Sequence, residues 1–152
     1  MTIRALFAGA ALMLASSCNQ GPELPIKEFM AQRVQTTAMV YWDAVRYESE
    51  LVDGKPVERD IRPQTDAEWA KVRQAAVDLQ AFGALLQTED YAAGRGEGWN
   101  QFASAMVEVS KRAEQAAVEK NPDKVFEVGG TVYAVCSACH QAYPPAAAGA
   151  PQ

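Results

Sequence analysis

Apolar side chains return at steps of three and four residues through four stretches of this chain, the spacing that draws one stripe along a helix of 3.6 residues per turn. Over residues 25–50 the stripe is Ile26, Met30, Val34, Thr37, Tyr41 and Val45, and Asp53-Gly54-Lys55-Pro56 then supplies turn residues that stop it. A second stretch opens on Thr65-Asp66-Ala67-Glu68, a capping box in which the Thr65 hydroxyl and the Glu68 carboxylate satisfy opposite amide donors. Its stripe is Trp69, Val72, Ala76, Leu79, Gly83 and Leu86. The third starts near Gly98-Trp99 and carries Phe102, Met106, Val109, Ala113 and Ala116. Asn121-Pro122-Asp123 closes it and opens the fourth, which runs to about Tyr143 with Val125, Val128 or Gly129, Val132, Cys136, Cys139, His140 and Tyr143 on its inner side. No stretch alternates apolar with polar residues in the manner of a strand. The pattern predicts an all-α chain folded as an antiparallel four-helix bundle, and 152 residues make one domain of it.

The two ends stand apart from this pattern. Arg4 precedes an apolar run over residues 5–15, too short for the roughly 20 residues that span a bilayer, and reads as an export signal. Ala15-Ser16-Ser17-Cys18 follows it and resembles the lipobox of bacterial lipoproteins, with Leu14 one place further back than is usual. That resemblance implies removal of residues 1–17, acylation of Cys18 as the mature N-terminus, and a tether over residues 18–24. Residues 25–145 are the expected helical domain. After Pro144-Pro145, residues 146–152 show no apolar periodicity and read as a disordered tail.

Charge narrows the partners. The net charge is −5 and no basic stripe occurs, so nucleic acid is an unsuitable ligand. The Gly94-Arg95-Gly96-Glu97-Gly98 run follows no strand and lacks the spacing of a dinucleotide-binding turn, which leaves it a loop between the second and third helices.

The chemistry sits near the C-terminal end, in Cys136-Ser137-Ala138-Cys139-His140. C-x-x-C-H is the attachment pattern of c-type haem: two thiols three residues apart reach the two vinyl groups of one porphyrin, and the next imidazole stands where it can bind the iron. A thioredoxin-like dithiol would place the pair at a strand-to-helix junction, and a zinc site would be one ligand short of four.

A C-x-x-C-H close to the end of a four-helix chain resembles the class II c-type cytochromes, the cytochrome c-prime family and its low-spin relatives. The resemblance spans residues 25–143, and its specific part is the haem motif. It implies one covalent haem c inside the bundle, thioether links from Cys136 and Cys139, and His140 as the proximal iron ligand. With two cysteines on the haem and Cys18 on the lipid, no disulfide is expected. Members of the family commonly carry a basic residue in or just after the motif, whereas this chain has Ser137, Ala138 and Gln141 there. Relatives are often dimers, so a homodimer is a further expectation.

The distal ligand decides between carrying electrons and binding gas. His140 is the single histidine, so a bis-histidine iron within one subunit is excluded. Met30, Met39 and Met106 remain after the signal is removed. Met30 lies on the apolar stripe near the start of the first helix, where the family places its distal residue. Met39 shares a more polar face with Gln32, Gln35, Trp42 and Arg46, and Met106 reads as core packing. Lys27 and Arg33 are candidates to meet a haem propionate. Gly129-Gly130 has two readings, close approach by porphyrin or a neighbouring helix, or simple tolerance of glycine. The leading expectation is a periplasmic, lipid-tethered electron carrier with a His140/Met30 iron, exchanging electrons with redox partner proteins. Its rivals are a five-coordinate protein binding nitric oxide or carbon monoxide, and a haem-free dithiol oxidoreductase using Cys136 and Cys139. No carboxylate pair or Ser/His/Asp set suggests an enzyme.

Overall fold

The computed structural model describes residues 24–145; the expected signal, Cys18 and the tail over 146–152 lie outside them. The chain is mostly helical with one small two-stranded sheet. A continuous first rod consists of α1 (Ile26–Phe29), a π turn (Met30–Val34) and α2 (Gln35–Ala44). Strands β1 (Arg46–Val52) and β2 (Lys55–Ile61) follow, then α3 (Asp66–Leu85), the short α4 (Glu89–Ala92), α5 (Glu97–Val118) and α6 (Pro122–Ala142). Among the described residues no helix is long and apolar enough to cross a membrane.

The hairpin corrects the all-α expectation and the first helix drawn to residue 50. The helix ends at Ala44 because Val45 turns extended, with φ −135° and ψ 114°. Asp53 and Gly54 both take positive φ, 52° and 75°, the type I′ turn that matches the twist of two antiparallel strands. Val52 pairs with Lys55 and Arg46 with Ile61. The alternation that announces a half-buried strand is missing because the hairpin stands in solvent on both faces, half-burying only Glu48 and Ile61. Pro56 fits β2 because every strand of a two-stranded sheet is an edge.

The π turn corrects the register of the first stripe. Val34, Ala38, Tyr41 and Val45 are buried, but at the start Phe29 is the core residue and Met30 is half-buried beside it. Five residues of unbroken α-helix would leave Phe29 and Val34 about 140° apart. One wide turn, closed by the Gln35 amide donating to the Met30 carbonyl, puts both on the core side.

The remaining helices follow their sequence signals. Glu68 N–H donates to Thr65 Oγ1 at 3.2 Å and Thr65 N–H to Glu68 Oε2 at 2.9 Å, which completes the capping box of α3. The Asn121 side chain accepts from Lys124 N–H at 3.0 Å, with Pro122 in the first turn of α6. Trp69, Val72, Ala76, Leu79, Gly83 and Leu86 are all buried, as are Met106, Val109, Ala113 and Ala116. The closest packing joins α3 to α5, where a Cβ on Gly83 would stand 2.8 Å from Val107 Cγ2. Next along, α6 lies on α5, and α2 lies on α3. Gly94 and Gly96 take positive φ in the loop expected there, and the unforeseen α4 buries Tyr91 beside it.

Candidate functional site

Cys136 and Cys139 lie one turn apart on α6, both half-buried and neither in a disulfide. Cys136 packs against the core. Burial pushes its thiol pKa upward, and the neighbouring Cys139 adds to the shift; burial alone raises Cys139. Ordinary thiols are already neutral near pH 7, and burial holds both of these further from ionisation. His140 occupies the last turn and is exposed, which corrects its expected place on the inner side of the helix. The correction is geometric: Val132, Cys136 and Cys139 hold the inward line at steps of four and three, so the next residue is carried about 100° away from Cys139. The imidazole has no hydrogen-bond or ion-pair partner among the described residues.

Tyr143 fastens the end of this segment. Its amide donates to the Cys139 carbonyl at 2.7 Å and its hydroxyl to the Arg95 carbonyl at 3.0 Å. The ring meets Trp99 and Phe102 edge-on, with centroids 5.3 and 6.2 Å apart. Arg95 in turn lays its guanidinium over Trp99 and donates to the Tyr91 carbonyl at 2.7 Å. Tyr91 stacks on Phe29 and donates its hydroxyl to the Leu24 carbonyl at 2.8 Å. Through Tyr143, Arg95 and Tyr91 the C-x-x-C-H segment is thus tied to the start of the first rod. The sequence places Tyr143 on the inner side of the last helix and Arg95 in a loop, but the link between them and the part played by Tyr91 are not legible there.

Met30 belongs to that same end. Trp42 contacts Gly129 and Tyr133, and Tyr47, just past the rod in β1, contacts the earlier residues Asp123 and Phe126, so the first rod and α6 run antiparallel. Met30 lies twelve residues before Trp42 and His140 eleven after Gly129, each about 16–18 Å in the same direction. By helix rise alone Met30 stands at about the height of Cys139 and His140. Met39 is 43% exposed and Met106 is in the core. Lys27 and Arg33 are exposed on the first rod.

Gly129 is explained by a neighbouring helix. Trp42 Nε1 donates to its carbonyl at 3.0 Å, and a Cβ there would stand 3.3 Å from Trp42 Cδ1. Nothing lies within 4 Å of a Cβ on Gly130. Beside this contact an open groove of about 330 Å³ runs between Tyr41, Trp42 and Val45 on one wall and Val125, Phe126, Gly130 and Tyr133 on the other.

The donor set suits covalent haem attachment. It offers two reduced thiols at i and i+3, an imidazole without a partner at the next position, and a thioether level with them on the adjacent rod. No three His, Cys, Asp or Glu side chains gather to hold a bare metal ion among the described residues. No protein-family model, curated protein or solved structure matches this chain.

Proposed function

We propose that this chain is a c-type cytochrome of the class II kind, an exported electron carrier whose long helices form an antiparallel four-helix bundle around one covalent haem. The observation that carries the reading is the reduced pair Cys136 and Cys139, one turn apart, followed by the partnerless His140. Cys136 and Cys139 would hold the haem through two thioethers, each formed by addition of the S–H across a vinyl group so that no leaving group is needed. Each thiol would bring the proton that this addition consumes. His140 supplies the proximal nitrogen, which requires its exposed side chain to turn toward the seam between α6 and the first rod. Met30 supplies the distal sulfur from the other side of that seam. When bound, the haem provides one-electron chemistry at iron, and His/Met ligation raises its potential. If His140 and Met30 both held the iron, a small molecule would have to displace one of them, which favours electron transfer over gas binding. Redox partner proteins are the corresponding partners.

The export signal and Cys18 give the proposed location, the periplasm, with the domain held to a membrane by a lipid. Three measurements test the reading. A denaturing gel stained for haem peroxidase should colour this band in cells that mature c-type cytochromes, and replacing Cys136 or Cys139 should remove most of the stain. The ferric protein should be low-spin, with a weak sulfur-to-iron band at the red end of the spectrum that Met30→Ala abolishes and Met39→Ala leaves intact. Cys18→Ser should go unprocessed by the lipoprotein peptidase and carry no acyl chain, whereas a wild-type protein found soluble in the periplasm with a free N-terminus overturns the tether. A band without stain overturns the haem; a stained wild-type protein that is high-spin and binds carbon monoxide quickly overturns the electron carrier in favour of a gas binder.

A further inference from the structure

The π turn determines which flank of the first rod Met30 occupies. Taking Val34 as reference, Trp42 stands about 80° round the rod, eight residues on, and its contacts with Gly129 and Tyr133 mark that flank as the one facing α6. The opposite flank faces α3: Ala44 shares a groove with Val72, and Phe29 meets Phe82 edge-on at 5.4 Å. In an unbroken α-helix Met30 would stand about 40° toward α3, and Phe29 about 140° round, in solvent. A π turn takes up one residue more than an α turn, which rotates everything before it by about 100°. Met30 then stands about 60° round on the α6 side, next to the Trp42 line, and Phe29 enters the core on the α3 side. The observed burial agrees, with Phe29 4% exposed and Met30 half-buried.

π turns are rare because they give up regular α hydrogen bonding, so something must hold this one open. Phe29 is placed to do so. Its ring is wedged between Phe82 and Tyr91, stacking on the latter at 5.0 Å, and Tyr91 is itself fixed by its bond to the Leu24 carbonyl. Relaxation of the turn to α geometry would pull Phe29 out of this site.

We propose that Phe29 is a positioning residue for the distal ligand: its burial against Phe82 and Tyr91 holds the π turn, and the π turn holds Met30 on the flank that faces the Cys136–His140 segment. This rests on Met30 being the axial sulfur. Without Phe29 in its site the rod relaxes, and Met30 swings toward α3 and out of reach of the iron.

The test uses the haem-loaded full-length protein and reads the far-red band of its ferric spectrum. Phe29→Ala should lose most of that band and turn high-spin, while its haem peroxidase stain on a denaturing gel is unchanged. Deletion of Ala31, an exposed residue inside the π turn, gives an α-helix that already has Phe29 inward and Met30 on the α6 side. That deletion alone should keep the band, and combined with Phe29→Ala it should restore it. A residue needed only for packing would not be rescued by shortening the helix. Survival of the band in Phe29→Ala, or its absence in the combined variant, overturns the proposal. Should Phe29→Ala fail to accumulate, the deletion alone decides: a retained band supports the register and a lost one overturns it. A wild-type protein without stain, or whose band survives Met30→Ala, instead overturns the reading of the site.

Discussion

Trp42 and Gly129 close the seam between the first rod and α6: the indole Nε1 donates to the Gly129 carbonyl at 3.0 Å, and a Cβ on Gly129 would stand 3.3 Å from Cδ1 of the same ring. Two helices that otherwise meet at few points are held by this contact, while the Tyr47–Phe126 ring pair below it joins β1 to α6. The seam beyond it, toward Met30 and His140, is where the proposed cofactor would be received.

The two adjacent glycines should respond in opposite senses to a side chain. Gly130 is exposed in mid-helix with nothing within 4 Å of an added Cβ, so Gly130→Ala should raise stability by about 0.5–1 kcal/mol. Gly129→Val forces branched carbons into the Trp42 ring and should cost about 1–3 kcal/mol. Urea midpoints measured at constant m-value check both; shifts of the same sign would contradict the seam geometry.

Ser110 is fully buried in α5, and its hydroxyl has no partner among the described residues. An unpaired buried hydroxyl costs about 1–3 kcal/mol in lost hydration, and alanine is the better helix former. Ser110→Ala should therefore raise the unfolding free energy by about 1 kcal/mol in urea titration. A comparable loss would mean that the hydroxyl is satisfied after all.

What could be read from the sequence depended on whether a signal was local or relational. The capping box of Thr65 and Glu68, the Asn121-Pro122 start of α6 and the stripes of α3 and α5 are short-range patterns, and the structure reproduces them. The hairpin was lost because its faces are charged and solvated: Glu48, Glu50, Glu58 and Asp60 hide the strand periodicity, although Asp53-Gly54 announced the turn. The π turn was invisible because Met30 fits the stripe of an unbroken helix, and only the packing of Phe29 against Phe82 and Tyr91 shows that the rod takes up an extra residue. For the site, C-x-x-C-H named its own residues, whereas the Tyr143, Arg95 and Tyr91 chain joins segments that no spacing rule connects.

The hairpin should be dispensable to the helical fold. Its residues are exposed except Glu48 and Ile61, and an isolated pair of strands adds little stability of its own. Replacing residues 47–60 with a short Gly-Ser turn should preserve the helical circular dichroism and cost about 0.5–1.5 kcal/mol, the worth of the Tyr47–Phe126 ring pair. Tyr47→Ala in the full chain should reproduce that cost; global unfolding of the shortened chain would show that the hairpin supports the helices.

The thiols of the haem-free protein should leave a signature in its stability at alkaline pH. Burial raises the pKa of both Cys136 and Cys139 above the ordinary thiol value of about 8.5, so the folded chain holds protons that the unfolded chain has released. Stability then declines as pH rises, because the state binding fewer protons gains. The contribution is whole below about pH 8.5 and is lost as pH climbs through the raised folded values. Tyr41, whose hydroxyl burial pushes well above the ordinary phenol value, adds its own decline at still higher pH. The diagnostic quantity is therefore the difference between the wild-type apoprotein and Cys136→Ala/Cys139→Ala, which should shrink the alkaline decline. Alkylation by iodoacetamide should be slower at Cys136, which packs on the core, than at Cys139. Thioethers carry no proton to lose. Protein purified with covalent haem should accordingly show neither the alkylation nor the thiol part of the decline, and titratable Cys136 or Cys139 in that form would contradict the attachment.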